Sequence, residues 1–252
     1  MDPLYLTIPI FFIIAFIFSM LGMGGSQLYI PILFWLGMDF KKEAIPLGML
    51  LNVVNSSSAA FTYFRKRLIS FKVAFPFAIS MICFAPVGVW INIKLPTKPL
   101  LVFFALFTAS AAVLMLSGWK PKKKDISTKG KIFLGLIAGA CLGFVAGLIG
   151  RGGGSFIVPL LYITGLEPKI AAATSSFVVT CSGTSSFISH ISSAAEPRWL
   201  IWIGCALSVF IGSQLGSRLM AVKLKSKGVK RIFGIVLILV SAIIIIKDVL
   251  LK

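Results

Sequence analysis

One glycine-proline element occurs twice in the chain, in the same register. Residues 21–38 read LGMGGSQLYIPILFWLGM and residues 148–166 read LIGRGGGSFIVPLLYITGL. Adding 128 to each number of the first copy superimposes the two without a gap. Gly22, Gly24, Gly25, Pro31, Leu33 and Gly37 fall on Gly150, Gly152, Gly153, Pro159, Leu161 and Gly165. The register persists downstream: Asp39 meets Glu167, Lys41 meets Lys169, Ala44 meets Ala172, Ser57 and Ser58 meet Ser185 and Ser186, and Gly88 meets Gly216. A period this long marks a duplicated half, not a solenoid repeat. The expected organisation is a first transmembrane repeat over residues 1–118, a basic cytoplasmic linker over 119–131 holding six lysines, and a second transmembrane repeat over 132–252.

Hydrophobic residues make up 58% of the chain and mean hydropathy is +1.01, more apolar surface than a soluble domain of 252 residues can bury. The class is an all-α polytopic membrane protein. The net charge of +18 resides in short clusters between apolar runs, the pattern by which loop charges orient a membrane protein, so nucleic acid is not an expected partner. Cys83, Cys141, Cys181 and Cys205 lie in apolar segments without a CxxC pair and read as small packing residues. The first apolar run has no basic stretch before it and reads as a membrane segment rather than a cleaved signal.

The apolar run over residues 4–21 reaches most of the way across a hydrocarbon core of about 30 Å. The piece that follows the glycine turn, residues 26–37, covers only about 18 Å at 1.5 Å per residue. Pro31 inside it removes a backbone donor. Together they predict a broken helix or a re-entrant hairpin tipped by glycine. A polar loop is expected over 39–43, spans over 44–64, 73–93 and 100–117, then the same plan as 132–149, 155–166, 170–193, 199–220 and a short last span over 232–246. If each short piece returns to its own side, each half has a hairpin plus about three transmembrane helices. The halves then become inverted repeats, and the basic loops at Arg65, the linker, Lys169 and Lys223 share the inside. Eight full crossings leave almost no charge bias.

A half-helix starting inside the membrane points free N–H groups and a partial positive charge at its tip, a ready site for a small anion. The expected substrate site is therefore Gly22, Gly24, Gly25 and Ser26 in the first copy and Gly150, Arg151, Gly152, Gly153, Gly154 and Ser155 in the second. Arg151 stands opposite Met23 and is the one basic residue predicted deep in the membrane, where a guanidinium costs about 2.5–3.5 kcal/mol. There it would grip an oxyanion with two hydrogen bonds. Asn52 and Asn55 in one span, and Thr174, Ser175 and Thr180 in the hydroxyl-rich partner span, would complete a polar lining. His190, the single histidine, is the candidate proton-linked group. No HExxH, metal-ligand cluster, P-loop lysine or deep carboxylate pair is present, so no catalytic residue, metal or cofactor is expected.

Two GxGG(G)–x4/5–P–x5–G elements, each followed by an Ala/Ser/Thr-rich span, resemble the TauE/SafE sulfite exporter family, also called the 4-toluene sulfonate uptake permease family. The resemblance runs over essentially the whole chain and is sharpest at GLIGRGGGSFIVPLL; the first copy has Ser26 where the second has Gly154. It implies a multi-pass transporter of the cell membrane, not an enzyme, for sulfur-containing or organic anions such as sulfite, sulfonates and sulfoacetate. A coupling ion, proton or sodium, and a homodimer are compatible with it. The competing readings are an anion channel, an intramembrane enzyme and a scaffold.

Overall fold

Backbone groups removed from water must bond within the protein, and a long apolar run achieves this alone only as a helix. The computed structural model describes residues 3–94, 96, 106, 110, 113, 128–149, 154–191, 194–244 and 246, and among them there is no strand. A 3-10 turn over Pro3–Leu6 leads into α1 (Thr7–Leu21). The first half continues with α2 (Ser26–Trp35), a π-helical turn over Phe40–Ala44, α3 (Ile45–Arg65) and α4 (Phe71–Lys94). The second half comprises α5 (Thr128–Ile149), α6 (Gly154–Ile163), α7 (Pro168–Ile191), α8 (Trp199–Val222) and α9 (Ser226–Ile244).

The repeat is carried into the helix boundaries. Shifting α2 by 128 residues gives the bounds of α6, and shifting α4 gives those of α8. Leu4–Leu21, Phe40–Arg65, Phe71–Asn92 and Trp199–Val222 are long and apolar enough to cross a membrane. The 24 residues of α7 are long enough too, but its hydroxyl run makes it less apolar and it is buried among other helices. The ten residues of α2 and of α6 reach only about 15 Å.

Three expected boundaries change. Residues 39–43 are not an open loop: Asp39 accepts from the Lys41 and Lys42 N–H groups at 3.0 and 2.7 Å and caps the π-helical turn. Residues 128–131, counted with the linker, already belong to α5. The last helix starts at Ser226, not at 232, because Lys227, Lys230 and Arg231 continue its first turns instead of ending a loop. The expected span over 100–117 lies mostly outside the described residues, with Leu106, Ser110 and Val113 helical.

Cross-helix contacts give the direction of each helix. The Ala195 N–H donates to Lys42 O at 2.9 Å, just ahead of α3, and the Ser70 N–H, just after α3, donates to Thr174 Oγ1 at 3.0 Å near the start of α7. The two central helices are therefore antiparallel. Ser213 Oγ donates to Asn55 O at 2.7 Å and Ser217 Oγ lies 3.1 Å from Thr62 Oγ1, so α8 runs parallel to α3. Phe177 packs on Phe71 and Phe75, and Ser185 Oγ donates to Ile82 O at 3.0 Å, so α4 runs parallel to α7.

Each half lends its first helix to the other. In the first half, α1 packs along α8 of the second, while α5 of the second packs along α4 of the first. Small residues let these backbones touch. A Cβ on Gly88 would overlap Phe144 O, and one on Gly216 would overlap Phe16 O. These two contacts are the same contact displaced by 128 residues. Gly139, Gly143 and Gly147 extend the seam along α5 against Phe77, Met81 and Ala85.

Replacing Gly88 with leucine is expected to force α4 off α5, with an overpacking cost of about 1–3 kcal/mol or more. Thermal unfolding in detergent checks this, with Phe133→Leu, on the exposed face of α5, expected to leave the midpoint unchanged.

Candidate functional site

The first glycine turn reverses the chain inside the protein. Gly22, Gly24 and Gly25 have φ of 70°, 85° and 108°, a left-handed conformation that side chains resist. Space forbids side chains as well: a Cβ on Gly22 would overlap Ala172 O, and one on Gly24 would overlap Asn52 Oδ1. The Gly22 and Met23 N–H groups bond back to Ser19 O and Phe18 O and end α1. The Leu28 and Tyr29 N–H groups bond to Gly25 O at 3.0 and 3.1 Å and start α2. The rings of Phe11 on α1 and Tyr29 on α2 lie 4.8 Å apart, so α2 folds back along α1 as a hairpin.

Side chains from both central helices hold this turn. Asn52 Oδ1 accepts from the Ser26 N–H at 3.3 Å, and Asn55 Nδ2 donates to Gly24 O. From the other half, Ser175 Oγ donates to Gly22 O at 2.7 Å. Tyr63, itself fully buried, donates its hydroxyl to Ser19 O at 2.7 Å. The site is therefore built by α2, α3 and α7 together.

Several buried polar atoms of α2 and α3 have no protein partner among the described residues. They are Asn52 Nδ2, Asn55 Oδ1, both side-chain atoms of Gln27 and the Tyr29 hydroxyl. All four residues are at most 1% exposed. Asn52 Nδ2 faces Gly183 of α7, where a Cβ would stand 2.9 Å away. An unpaired buried polar group costs about 1–3 kcal/mol, so a cluster of them at a helix N-terminus calls for a polar guest. Asn52 presents N–H donors, and the start of α2 adds its positive end.

The start of α6 converges on the same place. Gly154 is buried, and a Cβ there would stand 2.6 Å from Met23 Cα. The two half-helices thus begin against each other. Gly150, Arg151, Gly152 and Gly153 lie outside the described residues, as does the Ser155 side chain. Of the predicted lining, Gly22, Gly24, Gly25, Ser26, Asn52, Asn55, Ser175 and Gly154 come together. Thr174 does not join them: its hydroxyl accepts from the loop after α3. Thr180 donates to Ser176 O at 2.8 Å and lines a groove between α4 and α7. His190 is buried near the end of α7, seven residues beyond Gly183, about 10 Å along the helix.

Gln27 and Tyr29 were not predicted for the site. The signal was present, since both are polar groups in an otherwise apolar ten-residue helix directly after the turn. Ser213, Gln214 and Ser217 of α8 were also missed. Gln214 Nε2 donates to Ser58 O and Ser58 Oγ at 3.1 and 2.8 Å, so this row joins α8 to α3.

Comparison with known proteins covers most of the chain. The family profile described as Sulfite exporter TauE/SafE matches residues 7–244. The probable membrane transporter protein YunE of Bacillus subtilis is 25% identical over 88% of this chain and 90% of its own length. The probable membrane transporter protein y4hK of Sinorhizobium fredii is 28% identical over 82% and 86%. The Arabidopsis thaliana sulfite exporter TauE/SafE family protein 3 is 30% identical over 37% of this chain and 20% of its own. No solved structure matches significantly.

Asn52→Ala removes the acceptor of the Ser26 N–H and is expected to lower folding stability by about 1–3 kcal/mol. Thermal unfolding measures it. Thr180→Ala, whose hydroxyl bonds only within its own helix turn among the contacts described, is expected to fall within about 0.5 kcal/mol of wild type.

Proposed function

The chain belongs to the sulfite exporter TauE/SafE family, a family of membrane transporters, and from that premise we propose a secondary transporter of a small sulfur-containing or organic anion. The observation that carries the substrate class is the meeting of two half-helix starts, Gly154 against Met23, beside Asn52 Nδ2, which has no partner among the described residues. Helix N-termini and amide N–H groups are donors aimed inward, and they suit sulfite, a sulfonate or sulfoacetate. Arg151, three residues ahead of α6 in the sequence, supplies the matching charge.

The halves act as inverted repeats around this site. Support comes from the antiparallel α3 and α7 and from the swapped pairs α1–α8 and α4–α5. Alternating access then consists of one swapped pair rocking against the other about the central helices. The face bearing Arg65, Lys66, Arg67, Lys72, Lys169, Lys223, Lys225 and Lys227 is cytoplasmic by the positive-inside rule. The opposite face carries Trp90, Trp199 and Trp202, with Lys94 Nζ 3.5 Å over the Trp90 ring, an interfacial anchor of the outer side. The membrane is the cell membrane.

Thermal shift of purified protein with sulfite, sulfate, thiosulfate, sulfoacetate, taurine and acetate tests the substrate class. One sulfur oxyanion is expected to stabilise the wild type, and Arg151→Ala is expected to fold but lose that shift. If no anion shifts either protein, the anion reading fails. Counterflow of the bound anion in liposomes separates a transporter from a channel, which shows none. For orientation, a cysteine at Lys225 is expected to react with an impermeant thiol reagent only from inside, and one at Glu196 only from outside.

A further inference from the structure

A cavity of about 430 Å³ opens between α3 and α8 at the basic face. Its walls include Phe61, Arg65, Lys66, Gln214, Arg218 and Val222. Three cations converge there. The Arg65 guanidinium carbon stands 5.9 Å from the Phe61 ring centroid. The Arg198–Glu43 ion pair, 3.8 Å apart, lies at the opposite face.

The surroundings on the membrane side are apolar. Phe61, Ile211 and Leu215 are 59%, 52% and 49% exposed. Ile211, Leu215, Arg218 and Val222 follow one another at helical spacing, so an apolar stripe on α8 leads straight to the cations. The volume is more than ten times the roughly 30 Å³ share of one water, room for a headgroup rather than a bare oxyanion.

The duplication supplies an internal comparison. A groove between α7 and α4 overlaps it at the counterparts of Phe61 and Gln214, Ser189 and Pro86, and is lined further by Ile82, Thr184, Ser185 and Ile188. Pro86 takes the place of Gln214, and Trp90 takes that of Arg218. Lys94 takes the place of Val222 and lies over the Trp90 ring, so the three converging cations belong to the groove at the basic face. A basic pocket between transmembrane helices at the leaflet bearing anionic lipid is a headgroup site.

We propose that this pocket seats an anionic phospholipid, its phosphate on Arg65, Lys66 and Arg218 and its chains along Phe61, Ile211 and Leu215. The site is separate from the one at the half-helix tips and does not depend on which anion is transported. The test uses the full chain in phosphatidylcholine nanodiscs, with phosphatidylglycerol added stepwise, read by thermal midpoint and by native mass spectrometry. Wild type is expected to gain several degrees and to retain phosphatidylglycerol over phosphatidylcholine. The double variant Arg65→Gln/Arg218→Gln is expected to lose more than half of that gain. Lys225→Gln/Lys227→Gln, on the same face outside the pocket, is expected to keep it. Equal stabilisation by inorganic phosphate alone would mean a free oxyanion site and overturns the proposal. So does an equal response from the two double variants. If the arginine pair does not fold, each single variant is titrated instead, and wild type showing no lipid preference in the mass spectrum overturns the proposal by itself.

Discussion

Residues 22–25 place irregular backbone at the buried centre of a protein whose surroundings offer no bulk water. Each carbonyl and N–H in that turn needs a partner from the protein. Gly22 O takes a hydroxyl from Ser175, Gly24 O takes an amide from Asn55, and the Ser26 N–H finds Asn52. That requirement explains why Asn52, Asn55 and Ser175 are buried at these positions of α3 and α7. Asn52 also approaches Gly24 too closely for any Cβ, as the Ala172 backbone does Gly22 and the Tyr29 ring does Gly25. Asn52 Nδ2, Asn55 Oδ1, the Gln27 amide and the Tyr29 hydroxyl are left without a partner among the described residues.

The turn belongs to one half, yet part of its support comes from the other through Ser175 and Gly154. The same holds for the long seams, where α1 leans on α8 and α5 on α4. These seams are made of glycine against backbone, so they tolerate little change in separation and behave as rigid units. The contacts between such units are of another kind. Hydroxyl and amide bonds join α3 to α8, and rings of Phe71, Phe75 and Phe177 join α4 to α7. A protein built of stiff pairs around two central helices has its deformable contacts at the centre, beside the site.

Much of this was legible in the sequence because the duplication doubles every signal. The 128-residue offset located both half-helices and paired α4 with α8 before any coordinate was known. Hydropathy gave the spans expected at 4–21, 44–64, 73–93 and 199–220, and the cost of backbone in lipid pointed to the glycine turns. What escaped was of two kinds. Helix ends at charged segments were misplaced, since Lys227 and Arg231 lie on a helix as readily as in a loop. The facing of individual hydroxyls was also beyond reach: Thr174 and Ser175 are neighbours, yet one serves the loop after α3 and the other the glycine turn. A helix advances 100° per residue, so composition places a residue on a helix without choosing its face.

The exchange of first helices between halves also bears on how the chain is made. When α1 leaves the ribosome, the surface it will pack against is nearly 200 residues away in the chain, on α8. The glycine face of α5 meets α4 sooner, so the α4–α5 pair is the first long seam able to close during synthesis. Until α8 is inserted, α1 must wait in the lipid with its own hairpin, α3 and then α7 for company. Assembly therefore ends where the chain began, and truncation anywhere before α8 leaves the first helix without its principal neighbour.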